Sequence, residues 1–283
     1  MFTSNLPQVF LITGCSSGFG RELAIGYGFR VIATARRVET LAALEQKGAK
    51  ALALDVTSSE EELAKFAANA TAIYGQVDYL VNNAGFVSAG AIEEFSRADA
   101  LRQFNTNFFG LISTTNAFLP YFRQRKSGTI VNIGSHGSIA PVPGGGLYCA
   151  SKAAVDALSD TWTRELAEYN IRSISVQPGA FRTDVFESTN LVYATKVIEG
   201  YALAHGVIDA ISKQLGRPQA GDPARAAANI VAFVTDPAHK QLPSRFVIGD
   251  DAFAASKVFY TQQLTDIEAA KAWSTGTSYY STA

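Results

Sequence analysis

Seven short apolar runs, each four to six residues long, recur along this chain: Val9 to Thr13, Arg30 to Thr34, Ala51 to Leu54, Tyr79 to Asn82, Thr129 to Ile133, Arg172 to Gln177 and Arg245 to Ile248. None alternates cleanly between apolar and polar residues, so each is expected to be covered on both faces, as strands of a parallel sheet are. The longer segments between them carry helical periodicity, most clearly the stripe Val155, Leu158, Trp162, Glu165, Leu166 and Tyr169. Strands alternating with helices imply right-handed crossovers. The predicted fold class is therefore α/β, a doubly wound parallel sheet whose ligand lies beyond the carboxyl ends of its strands.

No repeat, low-complexity tract or Pro/Ser linker divides the 283 residues, so 1–283 reads as a single domain. The least regular stretch, 184–221, lies before the last strand and is long enough to form a helical flap over a substrate. Asp222 as N-cap and Pro223 at the first helical position restart a helix. A C-terminal extension, 251–283, reads helical through about Trp273 and ends in a polar tail with Tyr279, Tyr280 and Ser281.

Composition narrows the partners. Lys and Arg number 24 against 25 Asp and Glu, a net charge of -1 that gives no support to a nucleic-acid or acidic-membrane partner. No apolar run approaches the ~20 residues that span a bilayer. The N-terminus, whose apolar stretch is only the five residues Val9 to Thr13 with no basic region before it, does not read as a secretion signal. Two cysteines, Cys15 and Cys149, are too few for a disulfide framework, and a reducing, cytoplasmic setting is expected. His136, His205 and His239 lack ligand spacing, so no metal site is expected.

The first run leads directly into Gly14-Cys15-Ser16-Ser17-Gly18-Phe19-Gly20, followed by helical sequence. Glycines here let the backbone turn tightly and approach a pyrophosphate seated on helix N–H groups. Glycines also simply make turns; the position between first strand and first helix favours the nucleotide reading. The second run ends Ala33-Thr34-Ala35-Arg36-Arg37. A carboxylate hereabouts would bind the 2'-hydroxyl of NAD, whereas a 2'-phosphate wants arginine. Ala35 with Arg36 and Arg37 beside it favours NADP over NAD; a solvated basic turn is the bland alternative. Asp55-Val56-Thr57 and Asn82-Asn83-Ala84-Gly85 close the third and fourth runs at the edge where adenine and ribose would pass, though each alone could be turn chemistry.

The fifth run ends at Ser135; Tyr148 follows thirteen residues later and Lys152 four after that, opening a helical segment. Positions four apart share a helix face, so phenol and ammonium would sit side by side opposite a strand-end hydroxyl. A tyrosine with its ordinary pKa of about 10 is a poor base, and an adjacent ammonium is expected to lower it.

With these residues in view, the sequence resembles the short-chain dehydrogenase/reductase family from Gln8 to about Trp273. The family's TGxxxGxG is Thr13 to Gly20, NNAG is Asn82 to Gly85, and YxxxK is Tyr148 to Lys152; Ser135, Asn107 in FNTNFFG, and Pro178-Gly179 followed by Thr183 complete the match. The resemblance implies a Rossmann-type fold and a nicotinamide cofactor. It implies Tyr148 as general acid/base, Lys152 holding the nicotinamide ribose, Ser135 polarising the carbonyl and Asn107 holding a water that links Lys152 to solvent. It implies cofactor contacts from Gly14, Ser16, Ser17, Gly18, Phe19, Gly20, Arg36, Arg37, Asp55, Val56, Asn82, Ala84, Gly85, Tyr148, Lys152, Pro178, Gly179, Phe181 and Thr183. The ATARR, LDVT, GAFRTD and GDPARAA phrasing is similar to the NADP(H)-preferring carbonyl reductases and hydroxysteroid-dehydrogenase-like members.

Two departures stand out. About three residues are missing between Gly20 and the second strand, so the first helix is expected to be nearly a turn short and to contain Gly26 and Gly28, at about 1 kcal/mol each against alanine. Gly134 stands where many relatives carry a serine.

For the substrate, Val142 and Gly144-Gly145-Gly146, with Phe181, Phe186, Leu191, Val192 and Tyr193, suggest an apolar pocket for a ketone or secondary alcohol, aromatic or polycyclic; ordinary flap core explains them equally. His136 is a candidate pocket residue, and Cys149 reads as helix packing. The resemblance also implies a homo-oligomer, dimer or tetramer, built on the helices around Asn107 and Tyr148, with the apolar face of Val155 to Leu166 available for it. The whole reads as an NADP(H)-dependent ketoreductase. An NADPH-sensing, partner-binding protein and a non-redox epimerase or dehydratase relative are the alternatives.

Overall fold

The computed structural model describes residues 7–25, 27–183, 190–215 and 221–277. Among these, the strands are β1 Val9–Ile12, β2 Arg30–Ala35, β3 Lys50–Ala53, β4 Tyr79–Asn82, β5 Val87–Ala89, β6 Gly128–Ile133, β7 Ile171–Pro178, β8 Leu191–Tyr193 and β9 Arg245–Ile248. The helices are α1 Gly18–Leu23, α2 Ala42–Glu45, α3 Glu60–Tyr74, α4 Arg97–Phe104, α5 Gly110–Arg125, α6 Gly146–Glu165, α7 Ala202–Leu215, α8 Pro223–Thr235, α9 Asp250–Ala269 and α10 Lys271–Ser274. All seven predicted strands form, with ends within a residue or two of expectation, and they join in the order β3-β2-β1-β4-β6-β7-β9. Every pairing is parallel. Strands are added outward from β1 on one side and then from β4 on the other, so the direction reverses between these two neighbours. A crevice opens at that reversal, at the carboxyl ends.

The unbroken apolar runs have a simple cause. Successive side chains on a strand point to opposite faces, and both faces are covered. Phe10 and Ile12 pack with Leu23 of α1 and Ile230 and Val234 of α8. Val9 and Leu11 pack with Ala67 of α3, Phe118 and Phe122 of α5, and Val155 and Trp162 of α6. Burying a side chain of this size contributes about 1.5–3 kcal/mol, which is why all four residues of β1 are apolar.

Three expectations change. The first helix is short, as foreseen, but it ends at Leu23, so Gly28 lies outside it, at φ +89 in a turn with nothing within 4 Å of a built Cβ. The helix-interior penalty expected for Gly28 therefore does not apply; Gly26 lies outside the described residues. The flap has its helix, α7, but also contributes β8, which pairs in parallel with β5 in a separate two-stranded sheet. Val87 to Ala89 follows the Asn-Ala-Gly turn and gave no strand signal of its own. Phe186 and the Tyr279–Ser281 tail lie outside the described residues.

The third change concerns self-association. Val155, Trp162 and Leu166 are buried in the chain's own core against the sheet, while Glu165 is exposed. That stripe is used up within one chain and offers no face to a second copy. Exposed apolar side chains stand elsewhere: Leu101 and Phe109 near the junction of α4 and α5, and Phe253, Val258, Leu264 and Ile267 along α9.

A polar latch holds the flap down. Glu94 is buried, and its carboxylate accepts from Ala91 N at 2.8 Å, Ile198 N at 2.7 Å and His205 Nε2 at 2.8 Å. Tyr201 Oη donates to Glu93 at 2.5 Å. His205, on α7, thus has a structural partner in Glu94 rather than a loose surface position.

Candidate active site

β1 delivers Thr13 and Gly14 to the crevice. Thr13 Oγ1 accepts from the backbone N–H groups of Asn83 and Ala84, both at 2.9 Å, and Asn83 Nδ2 donates to the carbonyls of Thr13 (2.9 Å) and Gly14 (3.0 Å). The two strand-end turns are thereby locked together. Gly14 has φ +71, and a Cβ there would stand 2.8 Å from Ala84 Cα, so only glycine permits this approach. Gly20 serves the same closure from behind: a Cβ on it would collide with Gly14 O and Asn83 Nδ2. No side chain caps the first turn of α1, because the Ser17 hydroxyl accepts instead from Asn190 Nδ2 at 3.1 Å. Amides at such an uncapped helix start suit an anion.

The crevice measures ≈ 670 Å³. Gly14, Ser16, Ser17, Gly18 and Phe19 line it beside the start of α1, and Ala35, Arg36, Asp55 and Val56 line it at and beyond the ends of β2 and β3. Asp55 is tied into its turn by Thr57, which donates to Oδ1 from its backbone N (2.9 Å) and Oγ1 (2.7 Å). Arg36 stands on the wall, whereas Arg37 is exposed beside it and off the wall. Ala84 and Gly85 line the crevice, as do Pro178, Gly179, Phe181 and Thr183 from the far side.

Asn82 corrects an expectation. Its side chain is buried away from the crevice, where Nδ2 donates to Thr115 Oγ1 and Asn132 Oδ1, each at 2.9 Å. As the last residue of β4 it points at α5, and Asn83, one residue on, points into the loop. Asn82 therefore braces the sheet from within, while Asn83 braces the loop and, with Ala84 and Gly85, lines the crevice.

At the other end of the crevice Ser135, Tyr148 and Lys152 meet. Ser135 follows β6, its Oγ accepting from Gly137 N at 3.0 Å, and its hydroxyl is hydrogen-bonded to the Tyr148 phenol. Tyr148 lies in the first turn of α6, partly buried, and Lys152 is buried one turn on. Lys152 Nζ donates to Ile133 O at 2.6 Å and lies 5.8 Å from the Tyr148 ring centre. Burial pushes the Tyr148 phenol up to about 12, with the Ser135 hydrogen bond working the other way. Burial also pulls Lys152 down to about 8, opposed by the Asp156 carboxylate. The expected lowering of the tyrosine pKa by Lys152 is thus not what this geometry gives: desolvation dominates, and the ammonium is turned toward the Ile133 carbonyl.

Asn107 sits in a single π-helical turn, Asn105–Phe109, between α4 and α5, a widening often found at functional sites. Its amide is largely committed. Oδ1 accepts from Phe86 N (3.0 Å), and Nδ2 donates to Phe86 O (3.0 Å) and Ser151 Oγ (3.4 Å). One side-chain lone pair is left for a water, so the side chain acts first as a brace for the segment after Gly85.

The crevice beside Ser135 and Tyr148 is apolar. Val142, Gly145 and Val192 line it, and so do Ile208 and Ile211 of α7. Gly144 is not on the wall; it lets α7 approach, since a Cβ would come 2.6 Å from Ile208 Cγ1. Leu191 and Tyr193 flank Val192 on β8 but do not line the crevice. His136 does, and burial holds its imidazole below the usual range while Asp251 opposes. Cys149 is buried beneath Gly137 and Gly145. Asp251 was not foreseen: it accepts from Ala180 N at 2.8 Å and fixes the turn after Gly179, where a Cβ would strike its carboxylate. Asn190, Ile208 and Ile211 were likewise missed, because nothing local separates a crevice-facing flap residue from a core one.

Gly134 is explained by its neighbours. A Cβ there would meet Ser175 Oγ at 2.6 Å, Val176 O at 3.0 Å and Asp156 Oδ1 at 3.1 Å, leaving no room for serine.

The arrangement of glycine loop, Asn-Asn-Ala-Gly turn and Ser-Tyr-Lys cluster around one crevice is matched by a family profile described as short chain dehydrogenase, over residues 8–193. The chain belongs to the short-chain dehydrogenase family. This short-chain dehydrogenase is 36% identical over 200 residues to 3-ketodihydrosphingosine reductase of Bacteroides thetaiotaomicron, covering 69% of this chain and 72% of that protein. Among solved structures it is similar to a short-chain dehydrogenase from Streptomyces avermitilis, with 36% identity and a TM-score of 0.87 over 98% of this chain and 100% of that one. A variant of actinorhodin polyketide ketoreductase, solved with NADPH, shares 29% identity and a TM-score of 0.71, covering 86% and 95%. The chain is accordingly an oxidoreductase of this family, with a crevice suited to a nicotinamide cofactor. Among the described residues no helix is long and apolar enough to cross a membrane.

Proposed function

We propose that this short-chain dehydrogenase reduces a moderately sized, largely apolar ketone to a secondary alcohol with NADPH, and that Tyr148 is the proton donor. The observation that carries the reading is the hydrogen-bonded Ser135–Tyr148 pair standing over buried Lys152, at the opposite end of one crevice from the glycine loop. The cradle left by Gly14, Gly18 and Gly179 fits a pyrophosphate and a nicotinamide. Ser16, Ser17 and the α1 amides would hold the former, and Pro178, Gly179 and Lys152 would flank the latter. When bound, NADPH supplies a hydride to the carbonyl carbon.

The protein's residues handle the oxygen. Ser135 donates to it and stabilises the charge that grows as the C=O π bond breaks. Tyr148 Oη then gives its proton, forming the alcohol O–H bond. A phenol held near 12 stays protonated at neutral pH, which suits an acid better than a base. Reduction is therefore the favoured direction, and oxidation should accelerate as pH rises. Val142, Val192, Ile208 and Ile211 exclude water from the carbonyl.

The NADP preference rests on Arg36 at the adenosine wall, on the absence of a carboxylate at Ala35, and on the NADPH bound by the related ketoreductase. Loss of NADPH absorbance across a ketone panel tests the activity; cofactor binding with no net consumption on any ketone would instead favour a sensing or non-redox role. Replacing Arg36 and Arg37 by alanine should raise the KM for NADPH by about 10–100-fold and leave NADH little changed. Equal weakening of both cofactors would remove the NADP assignment.

Self-association and a cytoplasmic setting complete the reading. Both cysteines are unpaired and buried, which fits a reducing compartment; recovery of the chain from culture medium would count against it. Exposed Leu101 and Phe109, helical residues on either side of Asn107 in the chain, are apolar side chains that a second copy could cover. Sedimentation of the purified chain as a monomer would remove the dimer or tetramer.

A further inference from the structure

One buried carboxylate has no part in the chemistry above. Asp156 follows Tyr148 and Lys152 at the same spacing of four along α6, and it is 2% exposed. Its Oδ1 accepts from Ser175 Oγ at 2.5 Å, and its Oδ2 from Gln177 Nε2 at 2.6 Å and from Ser138 Oγ. The Ser138 hydroxyl also lies 2.7 Å from the carbonyl oxygen of Ser135, and Ser138 N donates to that same carbonyl at 3.0 Å. The carboxylate therefore grips the end of β7 with one hand and, through Ser138, the turn that presents Ser135 with the other. Absence of a side chain at Gly134 is what lets β6 close down on it.

The charged groups facing Asp156 are few. Lys152 is one turn away on the same helix, Arg245 reaches across from β9, and Asp160, the next residue of the stripe, pairs with Arg245 Nη2 at 2.6 Å. Lys152 is the cation on the crevice side. Burying a carboxylate carries a desolvation penalty that well-packed apolar residues avoid, so stability alone is a weak reason to keep one here.

We propose that Asp156 is a positioning residue of the active site: its carboxylate anchors the turn that presents Ser135, and its charge holds Lys152 as an ammonium. The anchoring half rests on the ketoreductase reading given above; the charge half does not. The sign is fixed by electrostatics. Burial disfavours the ammonium and Asp156 favours it, so removing the charge leaves burial unopposed and Lys152 loses its proton at lower pH. Lys152 is placed above to flank the nicotinamide, and of its ammonium and the Tyr148 phenol the ammonium is the first to lose a proton as pH rises. The alkaline limb of the reduction profile should then belong to Lys152 and follow it.

The test is an NMR pH titration of the full chain labelled with 13C at lysine Cε, the Lys152 resonance being assigned by its loss in Lys152→Ala. In Asp156→Asn the midpoint should fall by about one pH unit, with the alkaline limb of kcat/KM moving by the same amount. An unmoved midpoint overturns the proposal, including the case where only the melting temperature drops. Asp156→Ser, which keeps a hydroxyl for Ser175 and Gln177, serves if the asparagine variant does not fold. Ser138→Ala breaks the link to Ser135 but spares the charge: kcat should drop about 10-fold with the Lys152 midpoint unchanged, and full turnover would overturn the anchoring. The titration requires no turnover. An inactive wild type on every ketone would therefore remove the ketoreductase reading, while the midpoint comparison still decides whether Asp156 sets the charge of Lys152.

Discussion

Tyr148→Phe is expected to lower kcat for ketone reduction by about 10³-fold while leaving NADPH affinity nearly unchanged. The ring is partly buried at the start of α6 and keeps its packing in the variant. What is lost is one hydroxyl, the one hydrogen-bonded to Ser135 and the only titratable hydroxyl among the described residues at that end of the crevice. Ser135 would still polarise the carbonyl, and the glycine loop would still hold the cofactor, so a residual rate well above the uncatalysed one should remain. Single-turnover absorbance of NADPH with a reduced-substrate control separates the chemical step from binding. Full turnover in the phenylalanine variant would remove Tyr148 from the mechanism. A large loss of NADPH affinity would mean that the phenol acts on binding rather than on proton transfer.

The second large effect is expected at Gly14. Alanine there must adopt a left-handed conformation, costing about 1–2 kcal/mol, and its Cβ would press on the Ala84 backbone. Overpacking of this kind adds about 1–3 kcal/mol, because Ala84 is itself held by Thr13 Oγ1 and cannot withdraw without breaking that bond. We expect Gly14→Ala to lose about 3 kcal/mol and to bind NADPH at least about 10-fold more weakly, since the strain falls on the loop that meets the pyrophosphate. Gly28→Ala is the matched control. Its φ of +89 carries similar backbone strain, but nothing lies within 4 Å of the added carbon. Thermal unfolding and cofactor fluorescence compared across the two variants check this. Equal effects would show that backbone conformation alone matters and that the close approach of the two turns does not.

Much of this architecture was readable in the residues. Both faces of the sheet are covered, so Val9, Phe10, Leu11 and Ile12 must all be apolar, and a run of that kind betrays its strand without help from the rest of the chain. Asp222 and Pro223 mark the start of α8 for reasons confined to one turn: Asp222 Oδ1 accepts from Ala224 N at 2.9 Å, and proline needs no N–H there. The spacing of Tyr148 and Lys152 likewise guarantees that they share a face of α6. Where local signals were weak, the reading slipped. β5 and β8 are three residues each and are stable only because they pair with one another across the flap.

The sequence by itself thus determined the order of strands and helices, the glycine loop, and the presence of serine, tyrosine and lysine at one strand and one helix start. These follow from backbone sterics and from periodicity over a few residues. The tertiary structure alone decided that Asn82 turns to Thr115 and Asn132 while Asn83 reaches the loop. It decided that burial drives the Tyr148 phenol up rather than letting Lys152 draw it down. It also decided that Asp156 stands beneath Ser135, joined to it through Ser138. Desolvation and hydrogen-bond partners are set by groups distant in the chain, and only the folded packing brings those groups together.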